Sequence, residues 1–344
     1  MKFSVGYRLS AYGAWSRYLI EQKEHLAEVY FPMTGFASGR EAEVLPELGT
    51  FGSEAQKRQE LSALCRAGIR TNLLLNGNCY GADALSRSFF LKLGDALDEA
   101  IAEFGVASVT TTSPVIAKFI KQNFPALTVR ASVNMEIGST EGMSYLADLF
   151  DGYYLAREHN RNFAKIRELK AYCDGHGKQL FLLANSGCLN RCPTHHFHDN
   201  LVAHHEEIAK ADNAYDFQGI CWDVLREAQN LDRYLEITTF IRPEDISRYA
   251  EWFDCVKLAT RASAHPERTL RAYIKGRYVG SVMNLLEPDH SGGILPFLIE
   301  NSAFPSDFIE TVGTCKKNCT ACGYCRRVLR RALIQMEEIV HVDC

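Results

Sequence analysis

The sequence predicts an α/β fold, a TIM-like (β/α) barrel with a small cysteine-rich C-terminal extension. Short β-branched or aliphatic runs alternate with longer helical stretches, the pattern of a parallel sheet. Eight or nine such units favour closure into a barrel over an open sheet. No GxGxxG follows the first strand and no GxxxxGK[ST] occurs anywhere, so a nucleotide-binding open sheet has no local support. A barrel takes about 250 residues as one unit. The 344-residue chain therefore divides into a barrel over residues 1–283 and a linker with a cysteine-rich tail over 284–344.

The candidate strands are residues 3–7, 28–33, 71–76, 108–112, 129–134, 152–156, 179–185, 235–240 and 255–259. Helix-start signals stand between several of them. Ser113–Pro114 opens 115–124, Ser-Thr-Glu at 139–141 opens 142–150, and Arg-Pro-Glu at 242–244 opens 245–253. Two stretches break the rhythm. Residues 34–56, rich in Gly and Glu, read as a long rim loop or small insertion. Residues 284–314, with Pro288, Pro296 and Pro305, read as a linker that wraps the barrel.

Hydrophobic residues at 47% and charged residues at 23% exclude a disordered chain. A net charge of −4 gives no global argument for nucleic-acid binding. No stretch reaches the roughly 18 apolar residues of a membrane span. Arg8 and Ser10 interrupt the N-terminal apolar run, so no secretory signal is expected and the chain is read as cytoplasmic.

The twelve cysteines are the anomaly. In a reducing compartment, bunched cysteines point to metal or redox chemistry more than to disulfides. Two near-copies of one heptapeptide end at the top of barrel strands: LLLNGNC at Cys79 and LLANSGC at Cys188. Cys192 follows in CLNRCP, and Cys221 follows the run FQGIC. In a barrel the loops after the strand C-termini share one face, where active sites lie. Cys79, Cys188, Cys192 and Cys221 are thus candidate ligands of an iron–sulfur cluster or zinc, with Asn76 and Asn185 as candidates to orient cofactor or substrate. In the tail, CKKNCTACGYC places Cys315, Cys319, Cys322 and Cys325 as Cx3Cx2Cx2C, close to ferredoxin-type runs. Zinc stays open there, although its four-cysteine sites usually carry a longer gap between pairs. The first three alone match the spacing of radical S-adenosylmethionine enzymes. Lys316, Lys317, Arg326, Arg327, Arg330 and Arg331 surround the run, with no acid from 311 to 335. They suit either counter-charge for an anionic cluster or an anionic substrate such as RNA. Cys65, Cys173, Cys255 and Cys344 stand without cysteine neighbours and read as structural.

THHFHDN at 194–200, with His204, His205, Glu206 and Glu207, is the densest histidine patch. Ala209 stands where HExxH needs its second histidine, which excludes a simple zincin site. His195, His196 and His198 are candidates for proton transfer or for hydrogen bonds to cofactor or substrate. Lys257 and Arg261, in CVKLATR at the end of a strand, are candidates to bind an anionic substrate. No GxSxG, and no isolated Cys–His pair that the cluster reading leaves free, offers a peptidase nucleophile.

The series TTTSPVIAKFI, VRASVNMEIG, LLANSGCLNRCP with HFHDNLVAH, ITTFIRPEDISRY with FDCVKLATR, and CKKNCTACGYC resembles peptidase family U32, from about Leu73 to Cys325. The resemblance implies a TIM-like barrel with an oxygen-sensitive [4Fe–4S] cluster. It also implies activity like that of the oxygen-independent hydroxylation proteins, on a small molecule, an RNA base or a peptide. An electron donor and a family-related partner subunit come with it. Cys188 and Cys192 match the family's first cysteine pair and Cys221 a later one. Lys257 and Arg261 match its Lys-x-x-Gly-Arg segment, with Thr260 in place of the glycine. Many members carry a fourth ligand beside the segment equivalent to IRPEDI, and no cysteine stands there. Either Cys79 supplies it or one iron is open. The expected cofactors are one or two [4Fe–4S] clusters, the second in the tail. A peptidase or binding protein with a structural metal is the alternative.

Overall fold

The computed structural model describes residues 1–39 and 46–336. Cys344 and residues 40–45 of the expected rim loop lie outside them. Eight parallel strands close into a barrel in sequence order: β1 (Lys2–Gly6), β2 (Leu26–Pro32), β3 (Thr71–Leu75), β4 (Val106–Thr111), β5 (Thr128–Ala131), β6 (Gly152–Tyr154), β7 (Gln179–Leu183) and β8 (Cys255–Leu258). Both strand faces are covered, which is why they read as unbroken apolar runs. Val29, Leu73, Val109, Val129 and Tyr153 are sealed in one continuous core with the surrounding helices. Capping starts several helices where expected. The Ser113 side chain accepts from Ile116 N at the head of Pro114–Asn123, and Ser139 accepts from Gly142 N before Thr140–Ser144.

Three expectations need correction. Residues 235–240 are not a strand: a turn of helix (Tyr234–Ile237) runs into an extended but unpaired stretch. The fully buried Arg161 captures the carbonyls of Phe240 (2.8 Å), Leu235 (3.2 Å) and Thr238 (3.3 Å), so the segment's acceptors go to a guanidinium instead of a ladder. The stretch 34–56 is not all loop, since helix Gly49–Arg66 takes its last third. The helix expected over 142–150 is short, ending at Ser144.

The linker and tail dock on the barrel. Gly187 N donates to Glu287 O (3.1 Å) and Glu287 N to Asn185 O (3.0 Å), laying the 284–288 stretch against the end of β7. Gly187 is required there, because a Cβ would sit 2.1 Å from Pro288 O. Strands β9 (Phe297–Ile299) and β10 (Leu333–Gln335) pair antiparallel. Helix Tyr324–Ala332 buries Val328, Leu329 and Ala332 in the same core as the barrel.

The barrel interior is polar at its centre. Glu28 accepts from Ser4 Oγ (2.8 Å), Asn72 Nδ2 (3.0 Å) and Arg130 Nη1 (2.7 Å), while Asn72 Oδ1 accepts from Thr110 Oγ1 (3.1 Å). Four strands, β1, β2, β3 and β5, therefore meet at one carboxylate, and β4 joins them through Asn72. Burial pushes the Glu28 carboxyl up, but Arg130 and the hydrogen bonds outweigh it and hold it below the usual glutamate value. Above this layer sits Lys257, its Nζ 4.0 Å from the Tyr30 ring centroid and 5.0 Å from that of Tyr154. Burial first, then the Arg261 charge, drives its pKa down to about 7.

Two stability predictions follow from this interior. Glu28→Gln strands Arg130 and should cost about 3–5 kcal/mol in urea unfolding at neutral pH. Because the carboxyl is held low, that margin should be full above its ordinary value of 4.5 and be lost as pH falls through the lower folded value. An unchanged midpoint would refute the role of the carboxylate. Lys257 has the opposite sign. Its folded pKa near 7 lies below the ordinary 10.5, so its penalty is present at neutral pH and is relieved as pH rises towards 10.5. Lys257→Met should stabilise the fold at pH 7, with the gain shrinking by pH 10.

Candidate active site

The C-terminal ends of the strands form one mouth, and the long β7–β8 crossover supplies most of its chemistry. Cys188, Cys192, the helix His195–Ala203 and Cys221 all lie in that crossover. Between the first two cysteines, Arg191 adopts a left-handed conformation (φ 55°) that turns the chain back. A network then joins four loops. His195 Nδ1 stands 2.9 Å from Glu136 Oε1 (after β5), and its Nε2 3.6 Å from Asp199 Oδ2. Asp199 Oδ2 accepts from Asn78 Nδ2 (3.2 Å, after β3), and Arg157 Nη2 (after β6) donates to Asn134 Oδ1 (2.7 Å). Glu136 is itself left-handed (φ 51°), which aims its carboxylate at His195 and, at 3.4 Å, at His196 Nε2. Burial opposes charge on His195, but hydrogen bonds to Cys188 and Glu136 prevail and raise its pKa to about 9.

His198 stands beside Cys221. A Cβ on Gly219 would be 3.3 Å from Cys221 Sγ and 3.6 Å from His198 Nδ1. Burial, then the neighbouring Cys188 and Cys192, pushes the Cys221 thiol up to about 11. The structure thus brings Cys188, Cys192 and Cys221 within electrostatic reach of one another. It gives Cys79 a different partner: the thiol hydrogen-bonds His204 and accepts from Gly81 N at 3.4 Å. His204 Nδ1 in turn stands 2.6 Å from Glu207 Oε2. Cys79, a candidate cluster ligand from sequence, is thus paired with a histidine 125 positions along the chain, out of reach of local motif reading.

The two asparagines of the repeated heptapeptide hold backbone. Asn185 Nδ2 donates to Ala259 O and Leu285 O, both at 2.8 Å, and its Oδ1 accepts from Ala259 N at 2.7 Å. Its amide is spent on joining β7, β8 and the linker. Asn76 Oδ1 accepts from Ser38 Oγ (3.3 Å) and Gly39 N (3.2 Å), tying the β2 loop to β3. Arg261 Nη1 donates to the same Ser38 Oγ at 3.0 Å. Arg261 packs over Gly6, where a Cβ would meet its Cγ at 2.5 Å, and Thr260 Oγ1 accepts from Gly6 N at 2.9 Å. The threonine that departs from the family's glycine closes the β1–β8 seam.

In the tail, Cys325 lies near Arg161; burial raises its thiol to about 11, against the pull of that guanidinium. Arg161 Nη2 is buried without a hydrogen-bond partner. Lys317, left-handed at φ 58°, is depressed by burial and opposed by the nearby Cys315 and Cys325. Acids absent from the tail's own sequence come from elsewhere: Arg326 pairs with Glu236 (2.9 Å) and Arg330 with Asp232 (2.8 Å). Of the cysteines read as structural, Cys173 is buried with its thiol 3.9 Å from Met143 Sδ, and burial lifts Cys255 to about 12.

The donors suit soft-metal chemistry, since three thiols share one mouth and four share the tail. A single tetrahedral ion requires thiolate sulfurs about 3.8 Å apart. Among the described residues no three His, Cys, Asp or Glu are grouped as a single-ion site. A four-iron cube spreads its ligands over separate irons and takes a wider set. Sequence reading passed over Glu136 and Asn78, and named His204 and Glu207 in the histidine patch without pairing them. That pair carried a visible i, i+3 spacing.

No protein-family model matches the chain. It is 26% identical over 276 residues to "Uncharacterized protease MJ1657" of Methanocaldococcus jannaschii, with 77% of each chain covered. Its fold matches the solved U32 peptidase Mk0906 with a TM-score of 0.55 at 17% identity, covering 75% of this chain and 92% of that one. No helix among the described residues is long and apolar enough to cross a membrane. The chain is thus similar in sequence to a protein named as a protease and shares its barrel fold with a solved U32 peptidase.

Proposed function

We propose that the chain is an enzyme that holds a [4Fe–4S] cluster on Cys188, Cys192 and Cys221. In the barrel mouth it would carry out an oxygen-independent hydroxylation or related redox change on a small molecule, RNA base or peptide. The observation that carries this reading is the gathering of three part-buried thiols in one crossover, where burial first and then Cys188 and Cys192 raise the Cys221 thiol. Such a set ionises together only when a cation takes up the charge. A bound cluster supplies that charge and one-electron chemistry. With Cys79 engaged by His204, one iron would be left for substrate or another ligand.

The chain's own residues supply the rest. Arg261 stays charged and, with Lys257, makes the mouth floor attractive to an anionic substrate. Lys257, near pKa 7, can hold or release a proton at neutral pH. His195, fixed between Glu136 and Asp199, holds a proton beside Cys188. A second cluster on Cys315, Cys319, Cys322 and Cys325 would find counter-charge in Arg161 and Lys317, and would relay electrons from a donor protein. The second reading is peptide hydrolysis, favoured by the protease and peptidase names of the relatives.

Iron and acid-labile sulfide per chain after anaerobic purification test both clusters. About eight irons in the wild type should fall to about four in Cys188→Ala/Cys192→Ala, and to about four in Cys319→Ala/Cys322→Ala. Iron unchanged by the first pair of substitutions would sink the barrel-mouth mechanism. Zinc in place of iron would make the metal structural and leave the peptidase reading in possession of the mouth.

A further inference from the structure

The geometry points to Cys79, His204 and Glu207 as a thiol nucleophile, its general base and the carboxylate that orients the base, set to cleave a peptide or other acyl carbonyl at the rim of the barrel. The inference rests on the second reading, peptide hydrolysis, and is independent of the cluster. Its parts come from two loops. Cys79 lies in the turn after β3, and His204 sits at the break between helices His195–Ala203 and His205–Ile208. The i, i+3 step from His204 brings Glu207 Oε2 to 2.6 Å from Nδ1, which leaves the far side of the ring for the thiol.

Several features match what thiol catalysis requires. The thiol is partly accessible, unlike buried Cys173. Its sulfur accepts from the backbone N–H groups of Gly81 (3.4 Å) and Tyr80 and pairs with His204, so its neighbours favour the thiolate. Gly81 is left-handed (φ 69°), and a Cβ there would lie 3.9 Å from His204 Cε1, so the turn carries the histidine close against the nucleophile's loop. Asn78, immediately before Cys79, has its Oδ1 buried with no partner, an acceptor that a substrate N–H would satisfy. Its Nδ2, held by Asp199, fixes the residue in place.

The chemistry balances with water alone. Cys79 Sγ bonds to the carbonyl carbon as His204 takes the thiol proton. The C–N bond then breaks and His204 gives that proton to the departing amine, leaving a thioester. Water, deprotonated by His204, attacks the thioester carbonyl, the C–S bond breaks, and the proton returns to sulfur. The acid is released and the Cys79 thiol regenerated, with no net oxidation. Glu207 touches no reacting atom and is a positioning residue.

Full-length protein purified anaerobically is treated with p-nitrophenyl acetate, and peptide mapping locates the acetyl thioester. The expected result is acetylation at Cys79 in preference to the exposed Cys315 and Cys322, with a burst of p-nitrophenolate. Cys79→Ser should abolish the burst and leave iron per chain unchanged. His204→Ala should slow acylation about 100-fold or more, and added imidazole should restore part of it, which a purely structural role would not allow. Glu207→Gln should slow it less, with Glu207→Asp restoring the rate. Acetyl spread evenly over the exposed cysteines would overturn the assignment. Loss of iron in Cys79→Ser would also overturn it and return Cys79 to the cluster as its fourth ligand. Iron content and acylation are separate readouts, so failure of either reading is visible without the other.

Discussion

The Glu28 carboxylate at the barrel centre is the constraint on which the mouth depends. A barrel closes only if the inward residues of its strands fill one another's space. Here β1, β2, β3 and β5 do so by converging on a charge instead of on aliphatic layers. A buried ion pair is weak grounds for stability, since apolar residues of equal volume often do as well. Its effect lies in register. Ser4, Asn72 and Arg130 reach Glu28 only when their strands sit at the observed offsets, so the pair selects one closure among several that apolar packing alone would tolerate.

Register, once set, dictates charge at the mouth. Arg130 is consumed by Glu28, and the next cations up the barrel are Lys257 and Arg261. The fold tolerates them through aromatic faces: Tyr30 lies under both, and its hydroxyl donates to Leu258 O at 2.8 Å. A lysine that pays for burial with its own proton is poised to exchange one with whatever enters. The strained backbone lies in the same region. Glu136 and Arg191 hold left-handed conformations that no glycine eases, in the turns that aim a carboxylate at His195 and separate two cysteines.

The barrel was legible because each strand is buried on both faces and each helix begins with a local cap, and both leave marks within a few residues of sequence. The segment 235–240 looked the same and failed, because Arg161, some 75 positions earlier, takes its carbonyls. No local pattern carries that information. The cysteines of the crossover were legible as a group, since one loop brings them together. The role of Asn185 was not: a side chain at a strand end reads alike whether it faces a ligand or clamps backbone, and here three hydrogen bonds clamp backbone. His204 and Cys79 meet only because β3 and the β7–β8 crossover end on one rim, a consequence of closure.

That rim now separates its thiols by the company they keep. Cys188 hydrogen-bonds His195, whose other contacts are the carboxylates of Glu136 and Asp199. Cys221 is part-buried beside Cys188 and Cys192 and is raised by burial and by both thiols. Cys79 has a histidine backed by the exposed carboxylate of Glu207, with backbone N–H groups at its sulfur. A thiol surrounded by thiols is stabilised as an anion by a metal; a thiol faced by an imidazole and amide hydrogens is stabilised without one. Both heptapeptide cysteines thus meet a histidine, Cys188 beside Cys221 as well, and the difference arises from the partner loops and not from the heptapeptides themselves. Family resemblance, which aligns motifs, groups these cysteines; the electrostatics of the folded rim divides them.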